Sequence, residues 1–296
     1  MFHGVTARPG KTVRHMETRD FVKLLHLIRS EFDVVPMNEL IAGQHKTHSR
    51  PRVALTFDDG YLNNFTEACP VLAEMNLPAT FFLITDSLSN DRFTLPIDTI
   101  DCIIEKYSPA EIVLDNISFR RNGSAYINDA SLNIFDHIID QSHRMSDFLV
   151  QLGKQFPFVF LNDSYYSTRV RYVDRKTLAE AARNPLFTFA SHTQTHVNCA
   201  KFEEGALRVQ LSASKKQIEE ITGSECSSIA YPYGLYNKTA RRLTKECGYR
   251  YAYSVENRLP QDASDPSIVQ RIGISNTTTP EVNLLHLSKL FGKRSL

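Results

Sequence analysis

Short β-branched or aromatic runs alternate with amphipathic stretches along most of this chain, and that alternation limits the fold more than any other feature. The runs FDVVPM, RVALTFDD, PATFFLI, FTFASH, SSIAYPYG and YRYAYSV read as strands. Between them, TRDFVKLLHLIRSEF puts Phe21, Leu24, Leu25 and Ile28 at helical spacing. NNFTEACPVLAEMN, DRKTLAEAARN, EEGALRVQLSASKKQIEEITG and NKTARRLTKECG continue the helical pattern. MFHGV reads as a first strand, and the chain closes on a short IVQRIGIS and an amphipathic PEVNLLHLSKLFG. Strands and helices in alternation build a parallel α/β sheet or barrel, whose functional groups gather at the carboxyl ends of the strands.

Residues 86–172 break the rhythm with DTIDCIIEKY, a hairpin EIVLDNISFRRNGSAYI turning at Asn122-Gly123, and IFDHIIDQSHRMSDFLVQLGKQF. This predicts an inserted α+β subdomain at 86–172 within a single domain spanning 1–296. Apolar residues make up 42% and charged residues 23%, as in ordinary globular proteins. The 34 basic and 33 acidic side chains nearly cancel, which speaks against a nucleic-acid partner. No apolar run approaches the roughly 20 residues of a membrane span, so no transmembrane segment is expected; peripheral association with a membrane stays open, and nothing in the composition indicates an oligomeric state. The start shows no basic stretch followed by an apolar one, so no signal peptide is expected. The five cysteines are odd in number and lack CxxC spacing, which reads as free or buried thiols in a reducing compartment, and a cytoplasmic location is expected.

Three strand ends carry chemistry. VALTFDDGY delivers Asp58 and Asp59 together, then Gly60, which permits a tight bend. Two such close carboxylates repel unless a cation lies beside them; the alternative is a strand-end turn with Asp as a helix cap. FTFASHTQTHVN ends in His192 and His196, an i, i+4 pair that suits two nitrogen ligands on one metal. With a carboxylate from another strand end, the set offers two His and one Asp and leaves positions open, as catalytic zinc sites do. IAYPYGLYN ends a strand in Tyr231-Pro232-Tyr233-Gly234, where a backbone N–H can be held toward a pocket. Taken alone, that stretch is a Pro-Gly turn between strand and helix.

TFDDGY, SHTQTH and YPYG, in this order and each at a strand end, resemble the first three motifs of the polysaccharide deacetylases (NodB-homology, carbohydrate esterase family four). LPATFFL and FHGV also resemble the family, and the likeness covers residues 1–85 and 173–275. It implies a distorted (β/α) barrel with fewer than eight regular strands. It also implies that Asp58 is the general base, that Asp59, His192 and His196 hold a divalent metal, and that the Tyr233 N–H stabilises an oxyanion. Zinc is the first expectation for the metal, with Co2+, Ni2+ or Fe2+ accepting the same ligands. The reaction implied is hydrolysis of an N-acetyl group, ahead of an O-acetyl group, from a carbohydrate substrate in polysaccharide or glycolipid biosynthesis. Tyr61, Pro232 and Tyr233 are the expected substrate contacts, with Asn64 and the aromatic stretch NDSYYSTRVRY as further candidates.

The pattern departs from the family in two places. Ala230 stands where many members carry an arginine that orients the base, and Arg271 in VQRIGIS is the candidate replacement. The late histidine used as general acid is matched only superficially by His286, since Leu284, Leu285, Leu287 and Leu290 around it mark a helix; His3 is the alternative acid. Two other functions stay open: hydrolysis of a non-sugar linear or cyclic amide, and a degenerate domain that binds glycan without turnover.

Overall fold

The computed structural model describes residues 1–8, 10, 15–42, 50–156, 170–256 and 259–292. Most of the stretch NDSYYSTRVRY, together with His45 and His48, lies outside the described residues. Two short parallel pairs open the chain: β1 (Val5–Thr6) with β2 (Met16–Glu17), and β3 (Asp33–Val34) with β4 (Arg52–Val53). The central sheet is built from β5 (Leu55–Phe57), β6 (Ala79–Leu83), β10 (Phe187–Ser191), β11 (Ser228–Ala230), β12 (Tyr251–Ser254) and β13 (Ile268–Gln270). These six strands are all parallel and lie side by side in chain order. The sheet curls into the distorted barrel that the family resemblance implies, within the parallel α/β architecture expected from the alternation.

Strand periodicity sorts the side chains. Phe81 and Phe189 face outward into the large core with Phe57, Phe65, Leu72 and Leu211. Their neighbours Phe82 and Ala190 turn inward with Ala230 and Tyr253, two large and two small residues filling the barrel interior. Helix Thr18–Glu31 buries Phe21, Leu24, Leu25 and Ile28, the four residues its spacing singled out. Helix Glu204–Thr222 ends where Gly223 takes a left-handed φ of 67°.

The seam between the edge strands β5 and β13 is closed by the first residues of the chain. The Phe2 N–H donates to the Thr56 carbonyl at 2.8 Å, and the Asp58 N–H donates to the Phe2 carbonyl at 3.0 Å. On the other side the Ile274 N–H donates to the Met1 carbonyl at 2.9 Å. MFHGV thus lines up parallel to β5 through a single bridge, Phe2 to Phe57, and becomes a regular strand only at Val5–Thr6.

Residues 96–156 form a second cluster with an apolar core of their own, including Ile100, Ile112, Phe119, Ile138, Phe148 and Leu152. The expected hairpin is a three-stranded meander, β7 (Glu111–Leu114), β8 (Ile117–Asn122) and β9 (Ala125–Ile127). It turns twice: Gly123-Ser124 lies between the paired Asn122 and Ala125, and an earlier turn falls at Asp115-Asn116, with φ of 54° and 61°. Asp and Asn tolerate that left-handed backbone, so this pair makes a two-residue hairpin turn that the Asn122-Gly123 signal overshadows. NNFTEACPVLAEMN is also less regular than expected, starting with a π-helical turn at Asn64–Ala68 before the α-helix Cys69–Glu74. Among the described residues, no helix is long and apolar enough to cross a membrane, and none of the five cysteines is in a disulfide.

Candidate active site

The carboxyl ends of β5, β10 and β11 converge, and each passes through a left-handed backbone residue just where its functional group is presented. Asp59 has φ of 72°, His196 of 61° and Tyr233 of 58°. Bulky residues seldom adopt this region, and such strain concentrates at functional sites. At Asp59 the reversal takes the second carboxylate out of the strand's alternation. Gly60 follows with φ of 79°, in a place where a Cβ would meet Leu83 Cδ2 at 3.0 Å.

Asp59 Oδ1 lies 3.4 Å from His192 Nε2 and 3.3 Å from His196 Nε2, and all three side chains are buried. The three form a group that could hold a metal ion, with donor atoms within 4.8 Å of one another. Both imidazoles are turned to suit that task. His192 Nδ1–H donates to the Ala230 carbonyl at 2.8 Å, because a carbonyl can only accept. Its Nε2 lone pair then faces the carboxylate, an arrangement that needs a positive charge between them. His196 Nδ1 meets the Tyr233 hydroxyl at 3.0 Å. Bonds of about 2.0–2.1 Å to a tetrahedral cation would set neighbouring donors about 3.3 Å apart, which is the spacing of Asp59 Oδ1 from each imidazole. The donor set therefore fits a divalent metal.

The protonation balance points the same way. Burial opposes ionisation of Asp59, yet hydrogen bonds from His192 and His196 hold its carboxyl well below the ordinary value. Burial also works against charge on His192, but Asp59 first and Asp58 next raise its pKa, while at His196 burial prevails and the pKa falls.

Asp58 meets Arg271 instead. Guanidinium and carboxylate form a two-pronged fork, Nη1 to Oδ1 and Nη2 to Oδ2, each at 2.6 Å. The guanidinium lies over the Phe82 ring at 4.8 Å and near Tyr253 at 6.0 Å, inside the barrel where the small Ala230 leaves room. Burial would raise the Asp58 pKa, but Arg271 and then His192 outweigh it and hold the carboxyl below its usual value. Arg271 follows β13 and Asp58 follows β5, so the ion pair spans the seam that Met1 and Phe2 close.

The remaining sequence candidates divide. His3 is half-buried beside the pair, close enough to favour ionisation of both Asp58 and Asp59. His286 is exposed on helix Pro280–Gly292. Tyr61 is buried, and its hydroxyl donates to Asp98, which also holds the Tyr172 hydroxyl. That engages Tyr61 with Asp98 and Tyr172, between the barrel and helix Pro96–Tyr107. Pro232 is buried in the turn, and Asn64 is fully buried rather than on an open wall. Sequence reasoning overlooked the Tyr233 hydroxyl on His196 and the Ala230 carbonyl on His192. No local pattern reveals either, since both partners lie on different strand ends.

The sequence model of the polysaccharide deacetylase family matches residues 45–112 and 135–252, and the chain belongs to that family. A poly-β-1,6-N-acetyl-D-glucosamine N-deacetylase of Staphylococcus aureus (strain MRSA252) is 28% identical over 112 residues, which are 35% of this chain and 39% of that protein. The match thus spans well under half the length of this curated relative. Among solved structures, the Streptococcus pyogenes deacetylase PplD in complex with acetate superposes with a TM-score of 0.61 at 14% identity, covering 97% of this chain and 95% of that one. IcaB from Ammonifex degensii gives 0.59 at 15% identity, covering 95% and 94%. At these identities the likeness shows a shared fold.

Proposed function

We propose that this protein is a metal-dependent hydrolase that removes N-acetyl groups from a β-linked N-acetylglucosamine polymer or its precursor. The observation that carries this reading is the division of labour between adjacent carboxylates. Asp59 faces two histidines that could share a cation with it, while Asp58 is held ionised by Arg271 without belonging to that set. A divalent metal bound there, zinc by ligand type, supplies Lewis acidity toward water and the acyl oxygen. Asp58 takes the proton from the attacking water, and Arg271 keeps that base charged and aimed. The Tyr233 N–H, on its left-handed turn, faces the developing oxyanion, a role commonly worth about 3 kcal/mol. A domain that only binds glycan has no use for a base held ionised in this way.

Cleaving an amide requires a proton for the departing amine, and we assign that role to His3, whose charge acts on both Asp58 and Asp59. His3→Gln is expected to slow amide hydrolysis about a hundredfold while sparing an activated acetate ester, whose leaving group needs no proton. Equal losses on amide and ester would remove His3 from this role. A reducing compartment is proposed for its action, since the five cysteines form no disulfide. The experiment for the whole reading offers zinc-loaded protein β-1,6-linked N-acetylglucosamine oligomers, acetylated esters and cyclic ureides in parallel. Acetate and free amine are expected from the first; ring-opening of ureides with no acetate from any amino sugar would overturn the proposal.

A further inference from the structure

The two histidines of the candidate metal group are held differently on their far sides. His192 is fixed by a main-chain carbonyl, while His196 is fixed by a side chain that belongs to the oxyanion turn itself. The Tyr233 and His196 rings meet edge-on, with centroids 4.5 Å apart at 70°. We propose that Tyr233 is a positioning residue that couples the metal ligand His196 to the oxyanion turn, its hydroxyl serving one and its backbone the other. The proposal rests on the reading of Asp59, His192 and His196 as metal ligands.

The chemistry follows from the imidazole. A neutral ring that ligates through Nε2 must carry its proton on Nδ1, and the Tyr233 oxygen 3.0 Å away accepts it. An acceptor at that position fixes the tautomer, sets the ring plane and makes the ligating nitrogen more basic. The same residue holds a left-handed φ of 58° in the turn Pro232–Gly234. That turn is clamped from behind, since Ser254 Oγ–H donates to the Gly234 carbonyl at 3.1 Å. Glycine suits the next position, because Gly234 has φ of 68° and a Cβ there would meet Val255 Cγ2 at 2.8 Å. The Tyr233 ring also packs against the apolar cluster formed by residues 97–152. A shift of the turn therefore moves the His196 acceptor.

Tyr233→Phe separates the two functions, because it keeps the backbone N–H and the ring and removes only the oxygen. Zinc affinity is read by competition with a chromophoric chelator, and ligand geometry by the visible spectrum of the cobalt-substituted protein. The expected results are a zinc dissociation constant about 10–100-fold higher, an altered cobalt spectrum, and at saturating metal a lower kcat with KM nearly unchanged. Wild-type affinity and an unchanged cobalt spectrum in Tyr233→Phe would overturn the coupling while leaving the metal site standing. Failure of the unmutated protein to bind zinc would overturn the metal reading and the coupling together. Should Tyr233→Phe not fold, nitrogen NMR of the unmutated, zinc-loaded protein carries the test. A slowly exchanging Nδ1 proton on His196 supports the coupling, and a freely exchanging one overturns it.

Discussion

The barrel mouth gathers its charge at one buried point, whereas the cluster at residues 96–156 keeps charge out of its core. At the mouth, Asp58, Asp59, His192 and His196 are buried, and the Arg271 side chain is only 7% exposed. In the cluster the core is aliphatic and aromatic, and the charges stand outside it: Arg120–Asp129 and Arg144–Asp147 at the surface, Asp115 partly enclosed with His137 and Arg144, and Asp98 buried where it accepts from Tyr61 and Tyr172. Burying unpaired charge costs several kcal/mol per ion, whereas exposed pairs contribute at most about 1 kcal/mol. The mouth thus spends stability on chemistry, and the cluster gains stability and supports the mouth. The support is physical: Ser142 Oγ accepts from the Asn198 N–H at 2.7 Å, just beyond His196, and the cluster's core backs Tyr233.

This contrast can be broken from either side. Asp58→Asn removes the base without touching the group at Asp59, so kcat is expected to fall about 10²–10⁴-fold with zinc affinity retained, as measured by steady-state acetate release beside a metal titration. Loss of zinc in the same variant would show that the carboxylates do not divide their roles. In the cluster, Phe119→Ala opens a cavity around a fully buried ring, and denaturant unfolding should report a loss of about 3–5 kcal/mol. Folded Phe119→Ala molecules should keep their zinc; a loss of metal in parallel with stability would merge the two regions into one unit.

The smallest expected effect is on pH dependence, through Arg271→Met. The folded Asp58 pKa lies below its unfolded value of about 3.9, so the ion pair adds stability above that pH. This contribution is lost as pH falls through the lower folded value. Without Arg271, burial raises the Asp58 pKa. The acid limb of kcat/KM should therefore move to higher pH, and the stability advantage of neutral over acid pH should shrink. An acid limb that stays in place would detach Arg271 from the base.

What could be read from the sequence was what is local. Strand runs, helix faces and the short motifs at strand ends depend on residues a few positions apart, and β5, β6, β10, β11 and β12 formed where those patterns lie. Contacts between distant segments left no such trace. Arg271 reaches a residue 213 positions away, and only its place after a short strand hinted at it. The closure of the seam by Met1 and Phe2 rests on main-chain bonds that any residues could make. Tyr61 misled for the opposite reason: proximity to Asp58 in the chain suggested the pocket, while its hydroxyl turned to Asp98. At Asp115-Asn116 the turn chemistry was present, but the stronger Asn-Gly signal nearby drew the reading.

The most direct measurement is acetate release from N-acetylglucosamine oligomers while zinc is added back to chelated protein, run beside Asp59→Ala. The account expects no turnover in metal-free protein, a rise that saturates at one ion per chain, and none of that rise in Asp59→Ala. Undiminished acetate release from the metal-free protein, or a full zinc response in Asp59→Ala, would contradict it.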